Sequence, residues 1–119
     1  MLVLVPTRED VLAIQSIEDA FDLTTTTIKR REVALIRVAL AEGLIESTLH
    51  EIEAAEDEAI SQAAVDRVIA AGRAASKDID RHGSRQLGIN FEGQIRGRRI
   101  IRVKVSWEYH YYVPTVHTV

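Results

Sequence analysis

The chain has 119 residues, of which 46% are hydrophobic and 28% are charged, and it carries a formal net charge of −3 at pH 7. The length suits a single domain, and the composition is ordinary for a soluble globular protein. A small negative net charge gives no reason to expect general affinity for nucleic acid or for membranes. The absence of cysteine excludes disulfide and thiolate chemistry. Because no apolar run approaches the ~20 residues of a membrane span, we expect a cytoplasmic protein.

The beginning of the sequence predicts a short strand and a first helix. Residues 1–5 are all apolar and are typical of a buried strand. Thr7 and Asp10 have the spacing of a capping box, and apolar residues follow at helical intervals. We therefore predict a helix over residues 7–22. The run of threonines at residues 24–27 predicts a break after this helix.

Two further helices are predicted in the middle of the sequence. The second begins near Thr27 and carries two adjacent apolar stripes as far as residue 52, so we expect it to lie centrally. Gly43 is a mild penalty inside this helix. The third helix covers residues 55–81, and whether the two are separate or form one long bent rod stays open. Gly83 is predicted to cap the end of the helical part.

The most regular pattern lies in residues 101–113, where every odd-numbered position is apolar and every even-numbered one except Tyr112 is plainly polar. A period of two predicts a strand with one buried face. At ~3.3 Å per residue this strand would span roughly 43 Å, more than twice the usual length. Residues 87–95 alternate in the same phase, so the two segments predict a β-hairpin around Gly97.

The alternation also predicts how the two strands of the hairpin pair. Apolar residues face apolar residues if the connecting loop has three or five residues centred on Gly97. The alternative is a tight turn with a β-bulge at Ile100 and Ile101. The first solution gives the facing pairs Leu87–Trp107, Ile89–Val105, Phe91–Val103 and Glu92–Arg102. In either case the second strand continues beyond Trp107 after the first strand has ended.

Together these elements predict an α+β fold, with an N-terminal bundle of two or three helices followed by a long C-terminal β-hairpin and an extended tail. Within a single domain, residues 1–84 form the helical body with its short N-terminal strand. Residues 85–113 form the hairpin, and residues 114–119 form the tail.

No pattern in the sequence indicates catalysis, a cofactor or a metal site. The four histidines lack the i, i+4 spacing that builds a helical metal site, and no cysteine supports them. The motifs of serine nucleophiles and of phosphate-binding loops are also missing. We therefore expect a non-enzymatic protein that has neither a cofactor nor a bound metal.

The charges are unevenly distributed along the chain. Residues 42–66 contain eight acidic residues and no Lys or Arg, whereas residues 96–104 contain five basic residues and no acid. One interpretation is a solvated acidic helix and a solubilising basic loop. The sharper interpretation is a contact between copies, in which the acidic helix of one meets the basic hairpin of the next. On different surfaces, such patches join subunits head to tail, and these contacts close into rings when the rotation permits.

The apolar face of the hairpin also favours a partner. Leaving its large side chains exposed would forgo well over ~10 kcal/mol, and the helices need much of their own apolar surface for each other. We therefore expect the far end of the hairpin to contact a neighbour. The predicted partner-binding residues are the basic residues of the hairpin, its far end and the tail, namely Arg96, Arg98, Arg99, Arg102, Lys104, Tyr109, Tyr111, Tyr112, Val113, Pro114, Val116 and Val119.

A helical body, a protruding hairpin and an extended tail, in this order, resemble the small head–tail connector (adaptor or head-completion) proteins of tailed bacteriophages. The resemblance is one of architecture and includes no diagnostic motif. It implies a ring on the portal of a virion, with other structural proteins of the same assembly as partners. It also implies that residues 96–104 form a hairpin tip, that residues 114–119 dock on a neighbouring ring, and that DNA passes through the lumen.

The function expected from the sequence is therefore that of a non-enzymatic, homo-oligomeric structural or assembly protein with no membrane partner. The alternative is a small regulatory or nucleic-acid-binding protein that uses the basic clusters at residues 29–31 and 96–104 for non-specific contact with DNA. In that case Trp107 or Tyr109 could stack on bases. Their position on the apolar face of the hairpin favours core packing instead.

Overall fold

The computed structural model describes residues 5–80 and 86–107, together with the backbone of residues 115–118. Within these residues the helices are α1 (Arg8–Leu12), α2 (Ile17–Ala20), α3 (Arg30–Ala41), α4 (Leu49–Asp57) and α5 (Gln62–Ala71). The strands are β1 (Glu46–Ser47), β2 (Arg73–Asp78), β3 (Gly88–Gln94), β4 (Ile100–Ser106) and β5 (Thr115–Thr118). The strands form one sheet in the order β1-β5-β4-β3-β2, in which only the β1–β5 pairing is parallel among the described strands. The mixture of helix and sheet agrees with the predicted α+β class.

Strands β3 and β4 pair in the register that the alternation predicts. The facing residues include Ile89–Val105, Phe91–Val103 and Glu92–Arg102. The connection has the five-residue form, because the last pair is Gln94–Ile100. The backbone N–H of Ile95 donates to the carbonyl oxygen of Arg99 at 2.7 Å and closes the loop. The regular ladder between β3 and β4 leaves no place for the alternative bulge.

The apolar face of this pair is covered by the protein's own helices. The odd-numbered residues of β3 and β4 other than Gly93 belong to one hydrophobic cluster with side chains from all five described α-helices. Helix α5 contacts both strands, and Trp107 is fully buried. The helices therefore pack on the sheet as well as on each other, and they cover the described part of this face. The predicted far end, at residues 108–113, lies outside the described residues.

The predicted first helix, over residues 7–22, is wrong in its extent. Helix α1 begins with the predicted capping box, in which Thr7 and Asp10 bond to each other's backbone N–H groups. It ends at Leu12, and α2 follows as a separate single turn. The carboxylate of Asp19 accepts the backbone N–H of Gln15 at 2.9 Å, so a local side-chain bond competes with a continuous helix here.

The predicted second helix, from Thr27 to residue 52, is also interrupted. Helix α3 ends at Ala41, and Gly43 follows with a φ of 68°, in the left-handed region that favours glycine. The backbone N–H of Leu44 reaches back to the carbonyl oxygen of Ala39 at 2.8 Å, which completes a Schellman end. Gly43 is therefore a helix terminator rather than a penalty inside a helix.

Helices α4 and α5 are separate, which answers the question that the sequence left open. Helix α4 ends through the same kind of motif, with Ala59 at a φ of 57° and the N–H of Ile60 bonded to the carbonyl oxygen of Ala55 at 2.8 Å. The side chain of Ser61 then accepts the N–H of Ala64 at 3.1 Å and begins α5. The break escaped prediction because an alanine occupies the position where glycine is usual.

The predicted third helix, over residues 55–81, is wrong because β2 occupies its second half. Arg37 of α3 donates to the carbonyl oxygens of Ile69 and Gly72, at 3.0 and 2.7 Å, and so binds the end of α5. A Cβ atom at Gly72 would lie 2.7 Å from the carbonyl oxygen of Glu92, so only glycine permits this approach to β3. The expected helical body therefore contains a strand of the sheet. Gly83, the predicted cap, lies outside the described residues.

The predicted extended tail is wrong for residues 115–118, which form a strand of the protein's own sheet. Strand β5 lies between β1 and β4, and Val116 faces Ser47 on one side and Val105 on the other. The uncharged composition of the tail therefore reflects a strand between two neighbours rather than a docking segment. Pro114 and Val119, the other predicted tail contacts, lie outside the described residues.

A buried ion pair joins β2 to the beginning of α3. The ammonium group of Lys77 donates to both carboxylate oxygens of Glu32, at 3.1 and 2.9 Å, and to the carbonyl oxygen of Asp22 at 2.8 Å. The Glu32 carboxylate also accepts the backbone N–H groups of Asp22 and Lys29, at 2.7 and 2.6 Å. The two side chains are only 0% and 3% exposed. Because all three ammonium donors have partners, the pair holds the threonine segment against the sheet without an unsatisfied charge.

We expect Lys77→Met to lower the free energy of unfolding by about 3–5 kcal/mol, because it leaves the Glu32 carboxylate buried without its counterion. The matched control is Lys29→Met, which removes an exposed ion pair with Asp22 and should cost no more than ~1 kcal/mol. Urea unfolding of the three proteins measures the difference. Equal losses in the two variants would contradict this account of the buried pair.

Exchanging glycine and alanine at the two Schellman ends should change the stability in opposite directions. Gly43→Ala forces an alanine into the left-handed region and should cost about 1 kcal/mol, since a Cβ there meets no atom within 4 Å and only the backbone is strained. Ala59→Gly relieves the same strain and should raise the stability by up to ~1 kcal/mol. Thermal and urea unfolding of both variants test this, and changes of the same sign would refute it.

Candidate functional site: the arginine loop

The connection between β3 and β4, residues 95–99, is here named the arginine loop. Gly97 and Arg98 both have left-handed backbones, with φ values of 78° and 64°. Glycine adopts this conformation freely, whereas for an arginine it costs roughly 1–2 kcal/mol. The loop therefore holds a charged side chain at a position where glycine would be more stable.

Arg99 fixes the loop to the end of α4. Its guanidinium group donates to the carbonyl oxygen of Glu58 at 2.9 Å and forms an ion pair with the carboxylate of the same residue. One contact between the acidic segment and the basic hairpin is thus made within a single chain. This contact places the loop beside the C-terminal end of α4, and the role of Arg99 toward a partner stays a prediction.

Arg102 and Lys104, also predicted to bind a partner, lie on the polar face of the sheet. Arg102 donates to the Ser76 hydroxyl at 3.1 Å and lies 3.4 Å from the Glu92 carboxylate. The ammonium group of Lys104 is 2.7 Å from the Asp78 carboxylate, and the lysine is 9% exposed. Both side chains connect β4 to polar residues on β2 and β3. Lys104 is therefore a structural residue, and Arg102 is partly engaged in the same network.

Arg96 and Arg98 are the predicted residues whose charges stay accessible. Both are exposed, and neither makes an ion pair with any residue in the described ranges. Arg96 also lines a cleft of about 310 Å³ between the loop and α5, to which Arg67 and Gln94 contribute. The arrangement offers exposed guanidinium groups to carboxylates or phosphates.

An exposed apolar residue adjoins these charges. Ile100, the first residue of β4, is 70% exposed, although it sits beside the fully paired part of the hairpin. The sequence indicates Ile100 only as a possible bulge residue, and its exposure is not predicted. Its even number is the signal, because even positions of β4 face away from the helices.

Four of the predicted contact residues, Tyr109, Tyr111, Tyr112 and Val113, lie outside the described residues, and for Val116 only the backbone is described. Trp107 belongs to the hydrophobic core. Its burial agrees with core packing rather than with base stacking.

The second basic cluster, at residues 29–31, is largely occupied by local contacts. The ammonium group of Lys29 lies 2.5 Å from the Asp22 carboxylate, and Arg31 donates to the carbonyl oxygen of Asp19 at 3.1 Å. The bond from Lys29, helped by the hydroxyl and the N–H of Thr24, holds the pKa of Asp22 well below its usual range. The bond to Asp22 in turn raises the pKa of Lys29. This cluster offers less free charge than the arginine loop.

Other chemistries find little support in the described ranges. No three His, Asp or Glu side chains there come together in a way that would hold a metal ion. No helix within them has the length and apolar character needed to cross a membrane.

Comparisons with models of protein families, with curated proteins and with solved structures find no match to this chain.

Glu51 is a buried carboxyl group that the sequence analysis counted only as part of the acidic segment. It lies in the first turn of α4, where its backbone N–H donates to the capping hydroxyl of Thr48 at 3.0 Å. Its side chain is 0% exposed, and Gln62 donates to one oxygen at 3.4 Å, while the other oxygen has no partner in the described part of the chain. Burial raises the pKa of Glu51, and bonds from Gln62 and Ser47 offset this only in part.

This burial gives a pH-dependent prediction. Because the pKa of Glu51 is higher in the folded than in the unfolded state, its contribution is most favourable below the ordinary carboxyl range and is lost as the pH rises through the folded value. Glu51→Gln removes this loss, so its stability relative to the parent should increase from pH 4 to pH 8. Glu18→Gln, an exposed control on α2, should show no such trend.

Urea unfolding of the three proteins across this pH range measures the effect. A stability difference between Glu51→Gln and the parent that does not vary with pH would contradict the buried-carboxyl account.

Proposed function

We propose that this protein is a non-enzymatic, homo-oligomeric structural or assembly protein that self-associates through the arginine loop. The observation that carries the proposal is the conformation and exposure of Arg98. Its backbone is left-handed, its side chain is exposed, and it has no ion-pair partner among the described residues. Residues strained in this way are enriched at functional sites. The exposed Ile100 beside it supplies apolar area that an isolated solubilising loop does not need.

A surface of opposite charge on the same chain supports self-association. Leu49, Glu53 and Glu56 follow one another at i, i+4 and i+7, so they share one face of α4, which we name the α4 stripe. All three are exposed, and neither glutamate makes an ion pair with a residue in the described ranges. The arginine loop with the adjoining Ile100, and likewise the α4 stripe, thus combine an exposed apolar side chain with unpaired charge. Complementary charges of this kind steer and align partners.

The head–tail connectors remain an example of the proposed class rather than a narrower proposal. Of the three features that carry the resemblance, the helical body contains the strand β2, and the hairpin of β3 and β4 lies within the sheet, between β2 and β5. The third, a docking tail, loses its support because residues 115–118 pair within the sheet. We therefore propose the general role of an assembly protein.

Nucleic-acid binding is a second candidate, favoured by the cleft that Arg67 and Arg96 line. Guanidinium groups on the walls of an open cleft suit phosphate. The acidic residues of α4 oppose this candidate, because the loop is fixed to the end of that helix through Glu58. A phosphate backbone that reached the loop would also approach Asp57, which is exposed.

Arg98→Gly separates function from stability. Glycine relieves the left-handed strain, so the variant should be more stable by roughly 1 kcal/mol, yet it removes a charge and should weaken self-association. Arg96→Gln is the matched control, because it removes a neighbouring charge without relieving strain and should weaken association with no gain in stability. Arg30→Gln, far along the chain on α3, should change neither property.

Light scattering over a range of protein and salt concentrations measures association, and urea unfolding measures stability. A protein that is monomeric at every concentration, and that shifts in size only when duplex DNA is added, would overturn the proposal in favour of nucleic-acid binding.

A further inference from the structure

We propose that self-association takes the form of a two-fold symmetric dimer, in which the arginine loop of each copy docks on the α4 stripe of the other. This inference rests on the proposed function and specifies the geometry of its contact. The occupant of the stripe is a second copy of this chain, and charge complementarity is the argument for it.

The position of the loop relative to its own α4 suggests the symmetry. The contacts of Arg99 with Glu58 hold the loop at the C-terminal end of this helix. Leu49 lies at the opposite end and is 70% exposed. A helix of nine residues is about 13 Å long, so loop and apolar end are separated by roughly that distance along the helix.

Two copies of α4 that run antiparallel across a two-fold axis bring opposite ends together. The loop at the C-terminal end of each helix then meets the N-terminal part of the partner's helix. Ile100 of one copy can cover the partner's Leu49, while Arg96 and Arg98 approach the partner's Glu53 and Glu56. The same contact forms twice, so both arginine loops and both α4 stripes are used and the contact closes on itself.

The edges of the sheet offer a poorer route to assembly. Strand β2, the last strand of the described sheet on one side, carries a register shift between Ala74 and Ser76. It also directs the charged Lys77 inward, toward Glu32. Bulges and inward charges on outer strands are devices that hinder strand addition. On the other side β1 has only two residues, which is too short a template for pairing.

The test is a charge exchange between two variants, Arg98→Glu and Glu53→Arg. Each alone places like charges across both contacts of the dimer and should weaken association by roughly 10-fold or more. When the two are mixed, every contact regains opposite charges, so a one-to-one heterodimer should form at close to the parent affinity. Native mass spectrometry distinguishes the heterodimer from the homodimers of the two variants by mass.

Apolar variants test the same contact without changing charge. Leu49→Ser and Ile100→Ser should each weaken the dimer, whereas Leu12→Ser, an exposed control on α1 that is 60% exposed in the parent, should not. Circular dichroism of each variant confirms that the fold is retained.

The outcomes separate this inference from the proposed function. A parent dimer that responds to the variants as described supports both. A larger closed ring that is still weakened by Arg98→Glu overturns the two-fold contact and leaves the proposed function standing, whereas an oligomer that ignores every variant overturns both. A parent that is monomeric up to the highest concentration overturns the inference and the proposed function together.

Discussion

The fold depends on the buried bond between Lys77 and Glu32. It is the point where the outermost described strand, the beginning of α3 and the segment after α2 are held to one another. Charges so far from water are tolerated only because the carboxylate also receives two backbone N–H groups and the ammonium group uses all its donors. An apolar pair could be as stable there, but it would not dictate which backbone groups meet. We infer that the ion pair fixes the arrangement more than it adds net stability.

The sequence predicts the centre of this sheet well because the information is local. Alternation along β3 and β4 sets which side chains are buried, and the parity of the two segments favours the observed register. It leaves open a loop of three or five residues, or a tight turn with a bulge, and the structure has the five-residue loop. The helix ends are predicted poorly because their causes are distant or unusual. Arg37, thirty-odd positions away, binds the end of α5, and Ala59 ends α4 where a glycine is expected. Without those ends, β2 is indistinguishable from a helix rich in alanine.

The failure to predict β2 also limits how much of the candidate site follows from the sequence. Arg96 and Arg98 lie in a loop whose position follows from the alternation, and the structure leaves them exposed as expected. The ion pair of Lys104 with Asp78 is not predictable, because Asp78 is on β2 and therefore on a strand predicted to be helical. The even-numbered side chains of β4 are predicted to have no partner in the chain when the neighbouring strand that carries their partners is not predicted. The burial of Glu51 likewise depends on contacts with another helix that no local pattern announces.

The order of strands in the sheet has a consequence for folding during synthesis. Strand β1 belongs to the first half of the chain, yet its only described partner in the sheet is β5, which comes last among the strands. During synthesis, β1 and the beginning of α4 must wait until nearly the whole described chain has been made. Pairings between such distant segments are slow to form. The helices made early would therefore form before the sheet beside them is complete. During this period their apolar surface would be exposed, and chaperones rather than neighbouring strands would have to cover it.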